Sequence, residues 1–173
     1  MSCTPTDLFD LAKAMGNSAG FGEADLRCAT SRGYYAALHA ADAVIPKVEG
    51  VERERIEGSH QFIIRRAIKY SDGPNPGRLE ARKIAQVLKK LKDQRVHADY
   101  DLRLDFSVRD RDDALARAHA ILGYCENLQT STSKKIIQSN NQEKSDAACE
   151  VVAKVEGEVA IHDAVRPALK RIR

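Results

Sequence analysis

The sequence predicts an all-α protein: a bundle of about five helices followed by a C-terminal extension. Three observations carry that expectation. Apolar residues recur at three- and four-residue steps in successive windows. No window up to residue 130 shows convincing alternation of apolar and polar residues with period two. Turn-forming clusters, GNSAGFG, the Pro46 region and SDGPNPG, separate the helical windows.

Taken in order, Thr4 to Met15 reads as a first helix. Thr4 or Thr6 serves as its cap, and Leu8, Leu11 and Ala12 form its stripe. A second helix runs from Glu23 to about Ile45, where Tyr34, Ala37, Leu38, Ala41 and Ile45 share one face and Pro46 ends it. KVEGVERERIEG, residues 47–58, is an exposed charged connector. Ser59 caps a third helix, His60 to Tyr70, with Phe62, Ile63, Ala67 and Ile68 as its apolar positions. A fourth helix spans Arg78 to about Asp99 on a stripe of Leu79, Ile84, Val87, Leu88 and Leu91. A fifth begins at Ser107, which with Asp110 forms a capping box in which Asp replaces the usual Glu. Leu115, Ala118, Ile121, Leu122 and Cys125 form its inner side.

After Leu128 the composition becomes polar, so residues 1–130 are expected to form the bundle and 131–173 a linker and extension. The valines at 151, 152, 155, 159 and 165 suit a helix broken at Gly157 and Pro167 that packs on a partner or on the bundle.

The chain has 173 residues, 43% hydrophobic and 31% charged, with a net charge of +3. That mild excess does not by itself identify a nucleic-acid binder. No apolar run reaches the ~18 residues of a membrane span. The first residues lack the basic start and apolar stretch of a signal peptide. A cytoplasmic protein of a bacterium or archaeon is the expectation. Cys3, Cys28, Cys125 and Cys149 are scattered without a C-x-x-C pair, which fits free thiols rather than a metal or redox site. Asp99, Asp101 and Asp105 lack the glycine and final Glu of a Ca²⁺ loop, and no Gly-Lys-Ser/Thr phosphate loop occurs. No metal and no cofactor is expected.

Two stretches hold the candidate functional residues. In SRGYYAALHAA, Arg32, Tyr35 and His39 fall on one helical face flanked by Ser31 and Asp42, while Tyr34 and Leu38 turn to a neighbouring one. Alanines there let another helix approach closely. In KDQRVHADYD, Arg95 and Asp99 are four apart and can pair, and Tyr100 follows at the helix end. His97 lies roughly 200° around the helix from Arg95, so the two cannot meet on one atom of a straight helix. An ordinary packing role competes with a binding role for Tyr35, His39, His60 and the Arg95–Asp99 pair. Lys89 and Lys92 belong to a basic run from Arg78 to Arg95 opposed only by Glu80 and Asp93. That run reads either as a solvated face or as a surface that follows phosphates. The acidic stretch from Asp99 to Asp113 beside it would equally suit self-association or a protein partner.

Four pieces in order, SRGYYAALHAADAVI, SHQFIIRRAI, LKDQRVHADYDL and FSVRDRDDALARAHAIL, resemble the HEPN family (higher eukaryotes and prokaryotes nucleotide-binding domain) over about residues 25–128. The likeness is to small stand-alone prokaryotic members. It implies an antiparallel helical bundle that pairs as a homodimer or with another protein, such as a nucleotidyltransferase antitoxin. It also implies a role in toxin–antitoxin or phage-defence systems. Ribonuclease members carry Arg, then four to six residues, then His, and cut RNA at its own 2′-hydroxyl without metal. Arg95 matches the arginine, but Tyr100 stands where the histidine belongs and His97 comes too early. A tyrosine phenol is a poor base at neutral pH. The resemblance therefore implies a degraded catalytic motif, with Arg32, Tyr35, His39, Arg95 and Tyr100 left to bind RNA, a nucleotide or a partner. Two alternatives remain open. One is an active endoribonuclease in which His39 or His97 replaces the missing base. The other is a scaffold acting through its tail.

Overall fold

Five helices follow one another: α1 (Pro5–Asn17), α2 (Glu23–Val44), α3 (Ser59–Asp72), α4 (Arg78–Tyr100) and α5 (Val108–Leu169). The computed structural model describes residues 3–15, 22–54 and 56–138 with their side chains, and 16–17 and 139–169 as helical path alone. No strand occurs among the described residues. The chain divides into two compact units, Met1–Thr132 and Ser133–Arg173.

Three helices begin with the same short device. The Thr4 amide donates to Asp7 Oδ2 and the Asp7 amide donates back to Thr4 Oγ1. Ser107 and Asp110 repeat that exchange at the start of α5. At α2 the Gly22 amide donates to Asp25 Oδ2. Each carboxylate satisfies an amide left bare by the missing preceding turn, and its charge suits the positive end of the helix dipole. At α3 the cap is Gly58 rather than Ser59, which is already helical, and no side chain caps it.

The core of the first unit runs from Phe9 to Leu128 among the described residues. α2 packs on α1 and α4, and α3 packs on α4. α5 meets α2 where Gly33 approaches Leu115. A Cβ at Gly33 would lie 2.8 Å from Leu115 Cδ2, so the missing side chain sets how closely the helices fit. Gly77, just before α4, has φ +69° and sits under Leu128. A Cβ there would meet Leu128 Cδ1 at 2.6 Å. The α2 stripe Tyr34, Ala37, Leu38, Ala41 and Ile45 is buried throughout.

Three expected core positions turn outward instead. Leu11, Ile68 and Leu79 are 49%, 46% and 61% exposed. Their places are taken by Phe9, by Ile64 and by the alanines Ala81 and Ala85, which let α4 lie close to its neighbours. The described residues of the connector 47–58 are mostly exposed, and Arg65 ties it down by reaching back to the Glu57 carboxylate and the Glu52 carbonyl.

The polar stretch after Leu128, expected as a linker, is helical, and α5 continues through Gly157 and Pro167. The expected partner-binding valines fall on residues whose side chains lie outside the described ones.

Candidate functional site

α2, α3 and α4 bring their polar residues together around Arg95. Its Nη2 donates to the Tyr35 hydroxyl at 3.1 Å, and its Nε lies 2.7 Å from Asp99 Oδ2. The same oxygen also accepts from the Ser31 hydroxyl at 3.0 Å, which helps fix Asp99. The guanidinium carbon stands 5.6 Å from the Tyr35 ring centre and 5.3 Å from that of Tyr100. A planar cation between two aromatic rings is held by the charge distribution of both, and its orientation is set. Burial works against the charge on Arg95. Its interaction with the Tyr100 side chain and the nearby charge of Asp99 outweigh that and hold its pKa above the ordinary value. The arginine side chain remains 16% exposed.

Two histidines border the Tyr35 ring. His60, in the first turn of α3, lies 5.9 Å from the Tyr35 ring and 5.4 Å from the Tyr34 ring. Burial lowers its pKa from the ordinary histidine value, and the charges of Arg95, Lys92 and His39 add to that effect. His60 is therefore neutral at neutral pH. His39 is exposed and stacks on Tyr35 at 6.4 Å. Beneath them Tyr34 is fully buried, and its hydroxyl makes no hydrogen bond among the described residues. That desolvation pushes the phenol pKa upward. The two tyrosines thus divide as the helical wheel predicts, one into the core and one onto the polar seam.

Other predicted residues stand apart. Arg32 is exposed and joins none of these contacts. His97 faces away: its Nδ1 is 3.1 Å from Asp101 Oδ2 and its ring lies against Phe106, 5.6 Å away. The half-turn offset along a regular α4 is the cause. Asp42, a flank of the expected seam, pairs instead with Arg66 at 2.7 Å. Lys89 stands over the cleft between α3 and α4 with Ile64 and Ile68, away from Arg95, whereas Lys92 acts on His60.

One supporting residue was not anticipated. Arg27, on α2, is buried and donates to the carbonyls of His97, Ala98, Asp101 and Leu104, while pairing with Glu23. It closes the C-terminal end of α4, where Asp99 and Tyr100 reside, and its guanidinium covers Phe106 at 5.1 Å. A signal was present in the sequence, since Arg27 lies seven residues before Tyr34 and so on the same buried face. No cluster of His, Cys, Asp and Glu among the described residues could hold a metal ion. No described helix is long and apolar enough to cross a membrane. Among known proteins, no family model, curated protein or solved structure matches the chain.

Proposed function

We propose that the seam around Arg95 binds a phosphate group of RNA or of a nucleotide. The observation that carries this reading is the arginine itself: oriented by Tyr35, Tyr100 and Asp99, partly exposed, with its charge and that of Lys92 acting on His60. A guanidinium fixed in advance loses little freedom on meeting a phosphate oxygen, and a charge-assisted bond is among the strong ones. Tyr35 and Tyr100 offer ring faces to a neighbouring base. The HEPN resemblance points to the same class of ligand. It also suggests a cytoplasmic setting in a prokaryotic conflict system, with a second copy or a nucleotidyltransferase antitoxin as partner.

A second reading, metal-independent cleavage of RNA, is favoured by His60. A neutral imidazole beside a phosphate-holding arginine can accept a proton from a 2′-hydroxyl. One experiment weighs both. A short labelled oligoribonucleotide is titrated with wild type and with Arg95→Ala, chelator present, and the RNA is then run on a denaturing gel. Loss of the charge-assisted contact should weaken binding roughly tenfold or more. Equal binding by the two proteins would reject the seam. Cleavage that vanishes in Arg95→Ala would establish the second reading.

A further inference from the structure

We propose that Tyr34 is a positioning residue of the phosphate site: its buried hydroxyl accepts a hydrogen bond from the His60 imidazolium when an anion is held at Arg95. This inference rests on the phosphate reading and extends it to a residue that the ligand does not touch. It starts from an unpaired group. Tyr34 is 0% exposed, and its hydroxyl has no hydrogen-bond partner among the described residues. Phenylalanine would fill the same space without burying a bare hydroxyl, which costs free energy. An unpaired buried group of this kind points to a use outside the packing of the free protein. The Tyr34 ring touches His60 of α3 and Tyr35 of α2, with ring centres 5.4 Å away in both cases. The charge of Arg95 on α4 reaches the Tyr34 phenol, but burial outweighs it and keeps the phenol protonated. A neutral hydroxyl oxygen thus lies beneath the seam with its lone pairs unused.

His60 faces Tyr34, Tyr35 and His39 from α2, and Arg95 and Lys92 from α4. Burial and the three basic neighbours hold its imidazole neutral in the free protein. A phosphate at Arg95 offsets part of that positive charge and draws a proton onto the ring. The imidazolium then carries two N–H donors. One serves the phosphate. The other turns toward the protein, where a partly buried N–H without a partner is costly. The Tyr34 hydroxyl is an unpaired oxygen already in ring contact with it, and a turn of the imidazole about its own side-chain bonds joins the two. Proton uptake, anion binding and the new hydrogen bond therefore favour one another. A neutral ligand draws no proton onto His60, so the arrangement selects for an anion.

The test uses the full chain and the labelled oligoribonucleotide, chelator present, at about pH 5.5 and about pH 8, either side of the ordinary histidine value. Wild type, Tyr34→Phe, His60→Ala, the double variant and Arg95→Ala are titrated, and thermal midpoints are read on the free proteins. At the acid pH, Tyr34→Phe should bind roughly tenfold more weakly than wild type, because a hydrogen bond to a charged group is lost. At the alkaline pH the two should agree within about twofold, since little imidazolium forms. Without His60, the Tyr34→Phe change should have no effect on binding. The midpoint of Tyr34→Phe should equal or exceed that of wild type, because the free protein loses no hydrogen bond. A purely structural hydroxyl predicts a lower midpoint and an equal loss of binding at both pH values, and either result would overturn the proposal. So would a Tyr34→Phe effect that persists in the double variant. If Tyr34→Phe binds like wild type at acid pH while Arg95→Ala binds weakly, this inference fails and the phosphate reading stands. If Arg95→Ala also binds like wild type, both fail.

Discussion

His60 shows how much a single residue depends on its neighbours from other helices. Its pKa is depressed by burial and by Arg95, Lys92 and His39. In the unfolded chain the same imidazole titrates near its ordinary value, about 6.5. The unfolded state therefore takes up the proton first as pH falls. The stability associated with neutral His60 is fully present above that value and is lost as pH drops through the folded pKa. His60→Gln should make the thermal midpoint fall less between about pH 7.5 and about pH 5 than it does in wild type. An unchanged pH slope would show that His60 is not desolvated as described. A bound phosphate reverses the balance by favouring the imidazolium, so oligoribonucleotide affinity should rise with acidity in wild type and rise less in His60→Gln. None of this was legible in the sequence, because the position of His60 depends on how α3 crosses α2. The split of Tyr34 from Tyr35, and the separation of His97 from Arg95, were legible because both follow from 100° per residue along one helix.

At the scale of elements, the end of α4 and the loop after it depend on one side chain from α2. A helix terminus leaves its last carbonyls without amide partners, and Arg27 supplies guanidinium donors to four carbonyls in that region. Arg27→Met keeps much of the apolar volume and removes all of those donors. It should cost roughly 2–4 kcal/mol, read from the denaturant midpoint, because buried carbonyls lose charged partners. Amide exchange across residues 101–106 should accelerate more than elsewhere in the bundle. Arg27→Lys should recover only part of the loss, since an ammonium cannot fork across several acceptors. A uniform change in exchange would mean that Arg27 acts on the whole bundle rather than on this end. The helices themselves were legible in the sequence through their apolar period and their Thr-x-x-Asp and Ser-x-x-Asp starts. Which stripe residues face inward was less so. Leu11, Ile68 and Leu79 turn outward because alanines at Ala12, Ala67, Ala81 and Ala85 bring neighbouring backbones close and leave no room beside them.

For the whole molecule, the decisive fact is where the described core ends. Its described members end at Leu128, and the first compact unit ends at Thr132, although α5 itself continues to Leu169. The change in composition falls near that point, and the stretch beyond it, expected as a linker, is helical. A polar run carries no apolar stripe by which helix could be told from loop, and its Ser, Thr and Asn residues are weak helix formers that favour the loop reading. Because apolar burial supplies most of the driving force for folding, residues 1–132 should fold alone. A chain ending at Thr132 should unfold in one cooperative transition, with a midpoint within about 3 °C of the full chain, equivalent to less than about 1 kcal/mol. Its oligoribonucleotide affinity should match that of the full chain, since Tyr35, His60, Arg95 and Tyr100 all lie within it. The scaffold reading requires the opposite pattern, in which the shortened chain stays folded but loses its partner. Measuring stability, RNA binding and partner capture on this one truncation therefore separates a molecule that works through its bundle from one that works through its tail.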